Sequence, residues 1–349
     1  MPRDLPPLPP APVPAELPRP PREVDPDAPR VAPGTAFDLG IPPEEARVLV
    51  IPVPWEATVS GGTGTIDGPR ATLAASAKID LHDLAAGEAW RAGIAALPEP
   101  EGLRERSRAA AGLVARAREG DAGAAAAVDA LAEETWSWLE DAVTRTLASG
   151  RIPLVLGGEH GLSPGAFRAA ARHAPGLGIL HVDAHADLRD AFEGMRSSHA
   201  SALARALELP GVGRVVQVGL RDVSREEVLA ARAVGDRVRW LDEETIAART
   251  LAGEPFAEIA REAVAALPET AWVSLDVDGL DPALCPGTGT PVPGGLSFRE
   301  VSYLLGEVVR SGRRLLGADL VEVGPGPWDG QVAARLLYRL AGWATAPAR

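Results

Sequence analysis

The sequence has very little cysteine and lysine. Cys285 is the only cysteine in 349 residues, so an intrachain disulfide cannot form. Lys78 is the only lysine among 35 basic residues, and the arginines that make up the rest are scattered along the chain. Because a phosphate-binding surface needs clustered basic residues, the sequence offers no such patch.

Long apolar runs and a secretory leader are also missing. No run approaches the roughly 18 to 20 residues that span a bilayer. The start, MPRDLPPLPP, has neither the basic nor the apolar region of a signal peptide. The formal net charge of −13 repels nucleic acid and anionic membranes and favours cationic ligands. We therefore expect a cytoplasmic protein without nucleic-acid or membrane partners.

Proline is concentrated at the start of the chain. Residues 1–36 contain 13 prolines, each of which lacks an amide donor and has a fixed φ. This composition predicts an extended or disordered arm over residues 1–36, followed by a single domain over residues 37–349. Recruitment of a partner protein is an alternative use of such an arm.

Beyond residue 45 the sequence alternates between predicted strands and helices. Helical segments rich in alanine and leucine separate the strands, and residues 103–150 predict two helices broken at REGDAG. The apolar runs are continuous rather than alternating, which is typical of a parallel sheet covered on both faces. We predict one α/β domain with functional side chains beyond the carboxyl ends of its strands. The six predicted strands lie in ARVLVIPVPWE, IPLVLGG, GLGILHVDAH, RVVQVGL, AWVSLDVD and LLGADLVEV.

Three of the predicted strands end in side chains that can bind a metal ion. PLVLGGEH supplies an imidazole, HVDAHAD supplies two carboxylates and an imidazole at every second position, and WVSLDVD supplies two carboxylates. Alternate side chains share one face of an extended strand, so those of HVDAHAD are expected to point at one centre. The candidate ligands are His160, Asp183, His185, Asp187, Asp276 and Asp278.

Each of these motifs alone is more often a structural strand end than a metal site. Together, four carboxylates and two imidazoles suit a harder divalent ion such as Mn²⁺, and the lack of thiolates argues against structural Zn²⁺. Six ligands exceed what one ion with an open water position needs, which predicts two ions about 3.5 to 4 Å apart with shared carboxylates. Asp281 fits a turn before proline, and Cys285 fits a small buried hydrophobe.

The same segments resemble a known family. GGEH, DAHAD and SLDVDGLDPALCPGTGTPVPGGL are similar to signature segments of the ureohydrolases, which include arginases and agmatinases. The resemblance extends from about Val48 to the C-terminus. It implies a three-layer α/β/α sandwich around a mostly parallel sheet, and two Mn²⁺ ions per chain, with Ni²⁺ as the alternative. It also implies a homo-oligomer, usually a trimer or a hexamer.

The resemblance further implies roles for particular residues. One ion would be bound by His160, Asp183, Asp187 and Asp276, and the other by Asp183, His185, Asp276 and Asp278. His199 in RSSHAS matches the family's proton-shuttling histidine, and Glu322 in LVEVGP matches the glutamate that pairs with the guanidinium. Asp187 would relay a proton from the attacking water, while His199 would exchange protons with solvent near its ordinary pKa.

Two departures from the family pattern are visible. Gly161 stands where the family often has serine or threonine, which we expect to loosen the contacts around His160. The segment 85–135 is longer than in the best-known members, and we expect it to lie at the entrance of the pocket.

The sequence thus predicts an amidinohydrolase that releases urea and an amine from a small cationic, agmatine-like guanidino compound. PGTGTPVPGG resembles the agmatinase side of the family, and no asparagine-and-serine motif for an α-carboxylate precedes His199. Arginine, guanidinobutyrate, free guanidine and formiminoglutamate remain alternative substrates. A zinc deacetylase is less favoured because the sequence has no His-His pair. A non-catalytic binding protein is less favoured because none of the six ligands is missing.

Overall fold

The computed structural model describes residues 5–27 and 34–346. Within them, one sheet contains eight strands: β1 (Val48–Val53), β2 (Ile94–Ala96), β3 (Ile152–Gly157), β4 (Leu177–Val182), β5 (Val212–Val218), β6 (Val238–Leu241), β7 (Thr270–Asp276) and β8 (Arg314–Val321). The α-helices are α1 (Gly68–Ser76), α2 (Leu103–Arg118), α3 (Ala122–Ala148), α4 (Pro164–His173), α5 (Ala202–Leu207), α6 (Arg225–Val234), α7 (Glu243–Leu251), α8 (Phe256–Ala265), α9 (Phe298–Arg310) and α10 (Pro327–Thr345). The predicted break between α2 and α3 is confirmed.

The strands lie in the order β2-β1-β3-β8-β7-β4-β5-β6, and every neighbouring pair is parallel. All six predicted strands are present in the sheet. The sequence analysis missed β2 and β6, which form its two edges. They are only three and four residues long, and β6 is half-exposed, so neither produces the continuous apolar run of a central strand.

Helix α9 shows how the local sequence produces a covering helix. Ser297 and Glu300 form a reciprocal capping box, in which each side chain accepts the other residue's backbone N–H. Val301, Leu305 and Val308 then recur at helical spacing and are buried. The cap fixes where the helix begins, and the apolar stripe holds it against the rest of the domain.

The sheet lies between two groups of helices. In one group α3 packs against α2 and α4, and in the other α10 packs against α1 and α9. Strand β3 contacts both α3 and α10, one helix from each group. The predicted three-layer α/β/α arrangement is therefore confirmed.

Residues 5–27 of the proline-rich arm contain no helix or strand, as the composition predicts, whereas Ala36 at its end begins a short 3₁₀ helix (Ala36–Asp38). Residues 5–27 nevertheless pack onto α3. Ala11 is buried, and its carbonyl accepts a hydrogen bond from Arg145 Nη1 at 2.8 Å. The Pro9 carbonyl accepts one from Trp138 Nε1, also at 2.8 Å. Side chains of α3 thus satisfy arm carbonyls that have no strand partner, and this part of the arm packs against the domain.

Residues 1–4 and 28–33 of the predicted arm lie outside the described residues, and the division of the chain into arm and domain stays a prediction. None of the helices in the described ranges combines the length and the apolar composition needed to cross a membrane.

The central strands β3, β8, β7 and β4 are consecutive neighbours. Because they are parallel, their carboxyl ends meet at one edge of the sheet. His160 follows β3, Glu322 follows β8, Asp276 ends β7, and Asp183 follows β4. The topology therefore gathers at one edge four residues that are widely separated in sequence.

A candidate metal centre at the carboxyl ends of four strands

The orientation of His160 is fixed by contacts on both sides of the ring. The chain leaves β3 through Gly158, where a Cβ would lie 2.1 Å from the Trp55 carbonyl oxygen, so only glycine allows this approach. His160 Nε2 lies 2.9 Å from the Ser274 hydroxyl, which donates to Asp319 Oδ1 at 2.7 Å. These contacts occupy Nε2 and leave Nδ1 facing the carboxylates.

Two similar turns, at the carboxyl ends of β4 and β7, position the candidate ligands that follow these strands. Asp183 Oδ1 accepts the backbone N–H of His185 at 2.6 Å, and Asp276 Oδ1 accepts that of Asp278 at 2.8 Å. Such bonds to the amide two residues on stabilise a local turn. The two turns are joined because Ala184 N–H donates to Asp278 Oδ1 at 3.1 Å.

The side chains of HVDAHAD gather as predicted, but the reason given from the sequence was wrong. Strand β4 ends before Asp183, so these residues do not alternate along extended backbone. Asp187 has a φ of 53°, in the left-handed region that L-residues rarely adopt. Its carbonyl accepts the N–H groups of Leu203 and Ala204 at 3.1 and 3.0 Å, which holds that conformation. Turns and the start of α5 position these ligands.

The first group of candidate ligands surrounds His160 Nδ1. This atom lies 3.3 Å from Asp183 Oδ2, 3.0 Å from Asp187 Oδ2 and 3.6 Å from Asp276 Oδ2. All four side chains are buried. The structure therefore brings together the four residues that the resemblance assigns to one ion.

The second group surrounds His185 Nδ1. This atom lies 3.4 Å from Asp183 Oδ1 and 3.0 Å from Asp278 Oδ2. The two oxygens of Asp183 thus face two different imidazoles, which is the arrangement of a carboxylate shared between two ions. The assignment of Asp276 as a second bridging carboxylate stays a prediction.

The carboxylates of the cluster are crowded without an intervening cation. Burial, and then the charges of Asp278 and Asp183, raise the pKa of Asp276 well above its ordinary value. Burial, and then Asp183, raise the pKa of Asp187 to about 6. Burial opposes ionisation of Asp183 as well, but the neighbouring histidines His181 and His160 hold its pKa well below the ordinary value. A bound cation would therefore stabilise the ionised form of these carboxylates.

The donor atoms fit a pair of divalent cations. Among the described residues, His160 Nδ1, His181 Nε2 and Asp183 Oδ2 are buried without a well-formed hydrogen bond. Such atoms are costly unless something else satisfies them. The cluster offers two overlapping groups of oxygen and imidazole donors that share Asp183. It is therefore a buried His/Asp cluster suited to a binuclear metal site.

The sequence analysis missed His181. This residue lies within β4, and its Nε2 is 2.8 Å from Asp183 Oδ2. A lone histidine inside the apolar run ILHV looks like a core residue. Its position at the carboxyl end of a strand, two residues before Asp183, was the available signal, because functional side chains gather at that edge of a parallel sheet.

Glu322 lies beside the first group of ligands. Its Oε1 accepts the N–H of His160 at 2.8 Å, and its own N–H donates to the Gly158 carbonyl at 2.8 Å. Burial, and then the charge of Glu159, raise the pKa of Glu322 well above its ordinary value. A positively charged ligand would relieve this cost.

Glu159 was also overlooked, although it lies within the GGEH motif. Its buried carboxylate accepts from Trp55 Nε1 at 3.0 Å and from the N–H groups of Ala57 and Thr58 at 2.9 and 2.7 Å. Burial raises the pKa of Glu159 to about 7. Glu159 therefore anchors the loop that follows β1, and this loop in turn contacts His199.

His199 is held by two hydroxyl groups. Thr58 Oγ1 lies 3.0 Å from its Nδ1, and Ser60 Oγ lies 3.1 Å from its Nε2. Burial, and then the charges of His185 and His160, lower the pKa of His199 to about 4. The expectation of an ordinary pKa was wrong, because burial and the two neighbouring histidine charges disfavour the protonated ring.

A cavity of about 300 Å³ opens beside the cluster. It is lined by Ser60, His185, Asp187, Arg189, Phe192, His199, Ala200, Asp222, Val223, Ser224, Glu227 and Thr290. Two candidate ligands and the candidate proton shuttle thus share one wall. Glu322, by contrast, is not among the described residues that line this cavity.

The segment 85–135 supplies none of the described residues that line the cavity, and its place at the entrance stays a prediction. It supports the cavity from outside. Arg118, at the end of α2, donates to the Val59 carbonyl at 2.7 Å and pairs with Glu193 at 2.5 Å. These contacts hold the loops that carry Ser60 and Phe192.

Three further expectations concern Gly161, Asp281 and Cys285. Gly161 does not loosen the loop, because a Cβ there would lie 2.8 Å from the Ser197 carbonyl oxygen. The Gly161 carbonyl also accepts Trp136 Nε1–H at 2.6 Å. Asp281 forms the predicted turn, accepting the N–H of the residue two positions on at 2.8 Å, and Cys285 is buried as predicted.

Comparison with known proteins agrees with this architecture. The family model described as the arginase family matches residues 46–343. The N(1)-aminopropylagmatine ureohydrolase of Thermus thermophilus is 35% identical over 305 residues, which are 86% of this chain and 91% of that protein. The guanidinobutyrase of Pseudomonas aeruginosa is 38% identical over 213 residues, 58% of this chain and 63% of that protein.

Among solved structures, the agmatine ureohydrolase of Thermoplasma volcanium matches with a TM-score of 0.69 and 27% identity, covering 86% of this chain and 90% of that one. The family match spans all four strand ends that form the cluster. The chain therefore belongs to the arginase family of ureohydrolases, which hydrolyse amidino C–N bonds.

Proposed function

We propose that this protein is a manganese-dependent amidinohydrolase that cleaves an agmatine-type guanidino compound to urea and an amine. The observation that carries the proposal is the position of Asp183 between two imidazoles, 3.3 Å from His160 Nδ1 and 3.4 Å from His185 Nδ1. Oxygen-rich ligation with imidazole suits Mn²⁺, and Ni²⁺ is the alternative occupant.

The residues at the strand ends divide into two ligand sets. One ion would be held by His160, Asp183, Asp187 and Asp276, and the other by Asp183, His185, Asp276 and Asp278. When bound, the two ions supply the Lewis acidity that makes a water molecule nucleophilic at neutral pH.

Glu322 would orient the substrate cation. Its carboxylate is held in one orientation by the N–H of His160, at 2.8 Å, so little orientational freedom is lost when a guanidinium binds. A carboxylate matches the charge and the planar donor geometry of a guanidinium. Glu322 would thereby place the guanidinium carbon next to the cluster.

Two residues on the cavity wall would move protons. Asp187 would take a proton from the attacking water, since it belongs both to the cluster and to the lining. His199 shares that wall, and its lowered pKa, about 4, means that the ring would hold a proton only transiently while passing it towards the departing amine. Water adds to the guanidinium carbon, the C–N bond breaks, and the amine leaves with that proton.

The cavity favours a substrate with a positively charged tail. Asp222 lines it, and the side chain of Asp222 is 70% exposed. Arg189 also lines it, but its guanidinium stacks on Phe192 at 4.7 Å and lies 3.9 Å from Glu227, which offsets its charge. Agmatine and N(1)-aminopropylagmatine have such tails, whereas arginine and guanidinobutyrate carry a carboxylate.

Urea release from a panel of guanidino compounds, measured with Mn²⁺ and with Ni²⁺, tests the proposal. We expect the highest kcat/KM for agmatine or N(1)-aminopropylagmatine with Mn²⁺. Activity confined to guanidinobutyrate or arginine would contradict the amine-tail assignment. Failure to release urea from any guanidino compound would contradict the function as a whole.

We also propose that the protein acts in the cytoplasm, in polyamine metabolism, as a homo-oligomer, a trimer or a hexamer, as the family resemblance implies. Light scattering of the purified protein checks the oligomeric state, and a monomer would contradict it.

A further inference from the structure

A line of hydrogen-bonding side chains runs across three strands to the shared carboxylate. Trp240 on β6 is the register partner of Gln217 on β5, which is the register partner of His181 on β4. His181 in turn lies 2.8 Å from Asp183. The line connects an edge strand of the sheet with the candidate metal centre.

The amide of Gln217 can take only one orientation. Its Oε1 lies 2.6 Å from Trp240 Nε1, and an indole N–H can only donate. Its Nε2 lies 2.8 Å from the Ala186 carbonyl oxygen, which can only accept. Exchanging the oxygen and nitrogen of the amide would break both bonds, so neighbours on each side fix which atom faces His181.

This orientation determines the tautomer of His181. Gln217 Nε2 lies 2.9 Å from His181 Nδ1, and its second hydrogen points there because the first is used by the Ala186 carbonyl. Nδ1 must therefore present its lone pair, and the ring proton sits on Nε2. A protonated ring nitrogen cannot bind a metal ion.

The location of His181 would otherwise suggest a ligand. Its Nε2 lies close to the donor atoms of His160, Asp183 and Asp187. Nε2 and Asp183 Oδ2 approach to 2.8 Å, although the N–H is not aligned for a regular hydrogen bond in the geometry shown. A protonated Nε2 and a carboxylate oxygen at this distance match as a donor and an acceptor.

We propose that His181 is a positioning residue and not a metal ligand: its Nε2–H donates to Asp183 Oδ2, and Gln217 and Trp240 hold the ring in the tautomer that makes this possible. The inference rests on the metal centre of the proposed function. The donated hydrogen bond would keep the shared carboxylate turned between His160 and His185, as partners of ligands commonly do in metal sites.

The variant Gln217→Glu distinguishes a positioning role of His181 from a ligand role, because the two roles predict opposite changes in Mn²⁺ binding. A carboxylate cannot donate to Nδ1, so the ring must carry a proton there. Nε2 is then either unprotonated, with its lone pair facing Asp183, or also protonated, so that the ring is a cation beside the ions. If His181 positions Asp183, Mn²⁺ binding measured by calorimetry weakens about tenfold or more. If His181 is a ligand, the new carboxylate partner strengthens it, and unchanged or tighter binding would overturn the proposal.

The variant Trp240→Phe tests the distant end of the line, with Trp138→Phe as its matched control. Both remove one indole N–H, but Trp138 donates to the Pro9 carbonyl, away from the cluster. We expect weaker Mn²⁺ binding in Trp240→Phe and no change in Trp138→Phe. An equal loss in both would assign the effect to general destabilisation and overturn the proposed role of Trp240.

Nitrogen-15 NMR of histidine-labelled wild-type protein reads the tautomer directly and without metal. The protein has six histidines, so the His181→Asn spectrum suffices to assign the signals. We expect a non-protonated Nδ1 and a protonated Nε2 in His181. The opposite tautomer would overturn the proposal, and neither result depends on urea release.

Discussion

The candidate metal centre and the proline-rich arm depend on opposite kinds of contact: like charges lie side by side in the first, and donors meet acceptors in the second. In the cluster, burial and then the charges of Asp278 and Asp183 raise the pKa of Asp276. In the arm, uncharged carbonyls of Pro9 and Ala11 are matched by donors from Trp138 and Arg145. Crowded like charges are typical of a binding or catalytic site, whereas matched hydrogen-bond donors and acceptors stabilise the fold. Variants in the two regions should therefore separate activity from stability.

The variant Asp276→Asn should have the largest effect. It removes a candidate ligand, and urea release should fall by about 10³-fold or more because the Lewis acidity of the ions is lost. The folded-state pKa of Asp276 is raised, so without metal its ionised form destabilises the fold as the pH rises above its ordinary value. Near pH 8 in a chelator, the variant should melt at a higher temperature than the wild type. Full urea release with two ions retained would contradict the ligand assignment.

Replacing Glu322 by glutamine tests the cluster without touching a ligand. The amide keeps an oxygen to accept the His160 N–H but loses the charge that pairs with a guanidinium. We expect kcat/KM to fall by about 10²-fold, the loss of a charge-assisted pair, while two Mn²⁺ ions still bind. Unaltered kinetics would remove Glu322 from the mechanism.

The variant Thr58→Val should have an intermediate effect, because it removes a hydroxyl that contacts His199 and donates to Glu159. Its hydroxyl lies 3.0 Å from His199 Nδ1 and accepts the His199 N–H at 3.1 Å. We expect kcat to fall about tenfold with little change in KM, since a proton-transferring ring loses its alignment. Thr58→Ser, which keeps the hydroxyl, is the control. A valine variant as active as the serine variant would argue against this role.

The smallest effect belongs to the arm. The variant Arg145→Met removes two bonds, to the carbonyls of Ala11 and Val13 at 2.8 and 3.0 Å. The free energy of unfolding should fall by about 1 to 2 kcal/mol in denaturant titrations, with kcat/KM unchanged. Arg108→Met is the matched control, because Arg108 is exposed and lies 3.9 Å from its partner Glu105. A loss of activity in Arg145→Met would link the arm to the cluster and contradict the claim that arm variants change stability alone.

The two regions also differ in how far the sequence predicts them. The ligands of the cluster could be found because their geometry is local: Asp183 and Asp276 each bond to the amide two residues on. His181 and Glu159 were missed because a buried polar residue inside an apolar run or a glycine-rich turn looks structural. Their roles depend on partners in other strands and loops.

The order of the strands was likewise beyond reach of the sequence. Nothing in the local pattern shows that β8 lies between β3 and β7, which brings Glu322 to the cluster. The packing of the arm depends on contacts such as that between Trp138 and Pro9, which are 129 residues apart. Proline content predicted the absence of strands and helices in the arm, but it does not reveal which distant side chains will hold it.

A crystal structure of the protein grown with Mn²⁺ and measured at the manganese absorption edge tests the central claim most directly. The account predicts two anomalous peaks about 3.5 to 4 Å apart, one beside His160 and one beside His185, with Asp183 between them. A single peak, or none near Asp183, would contradict it.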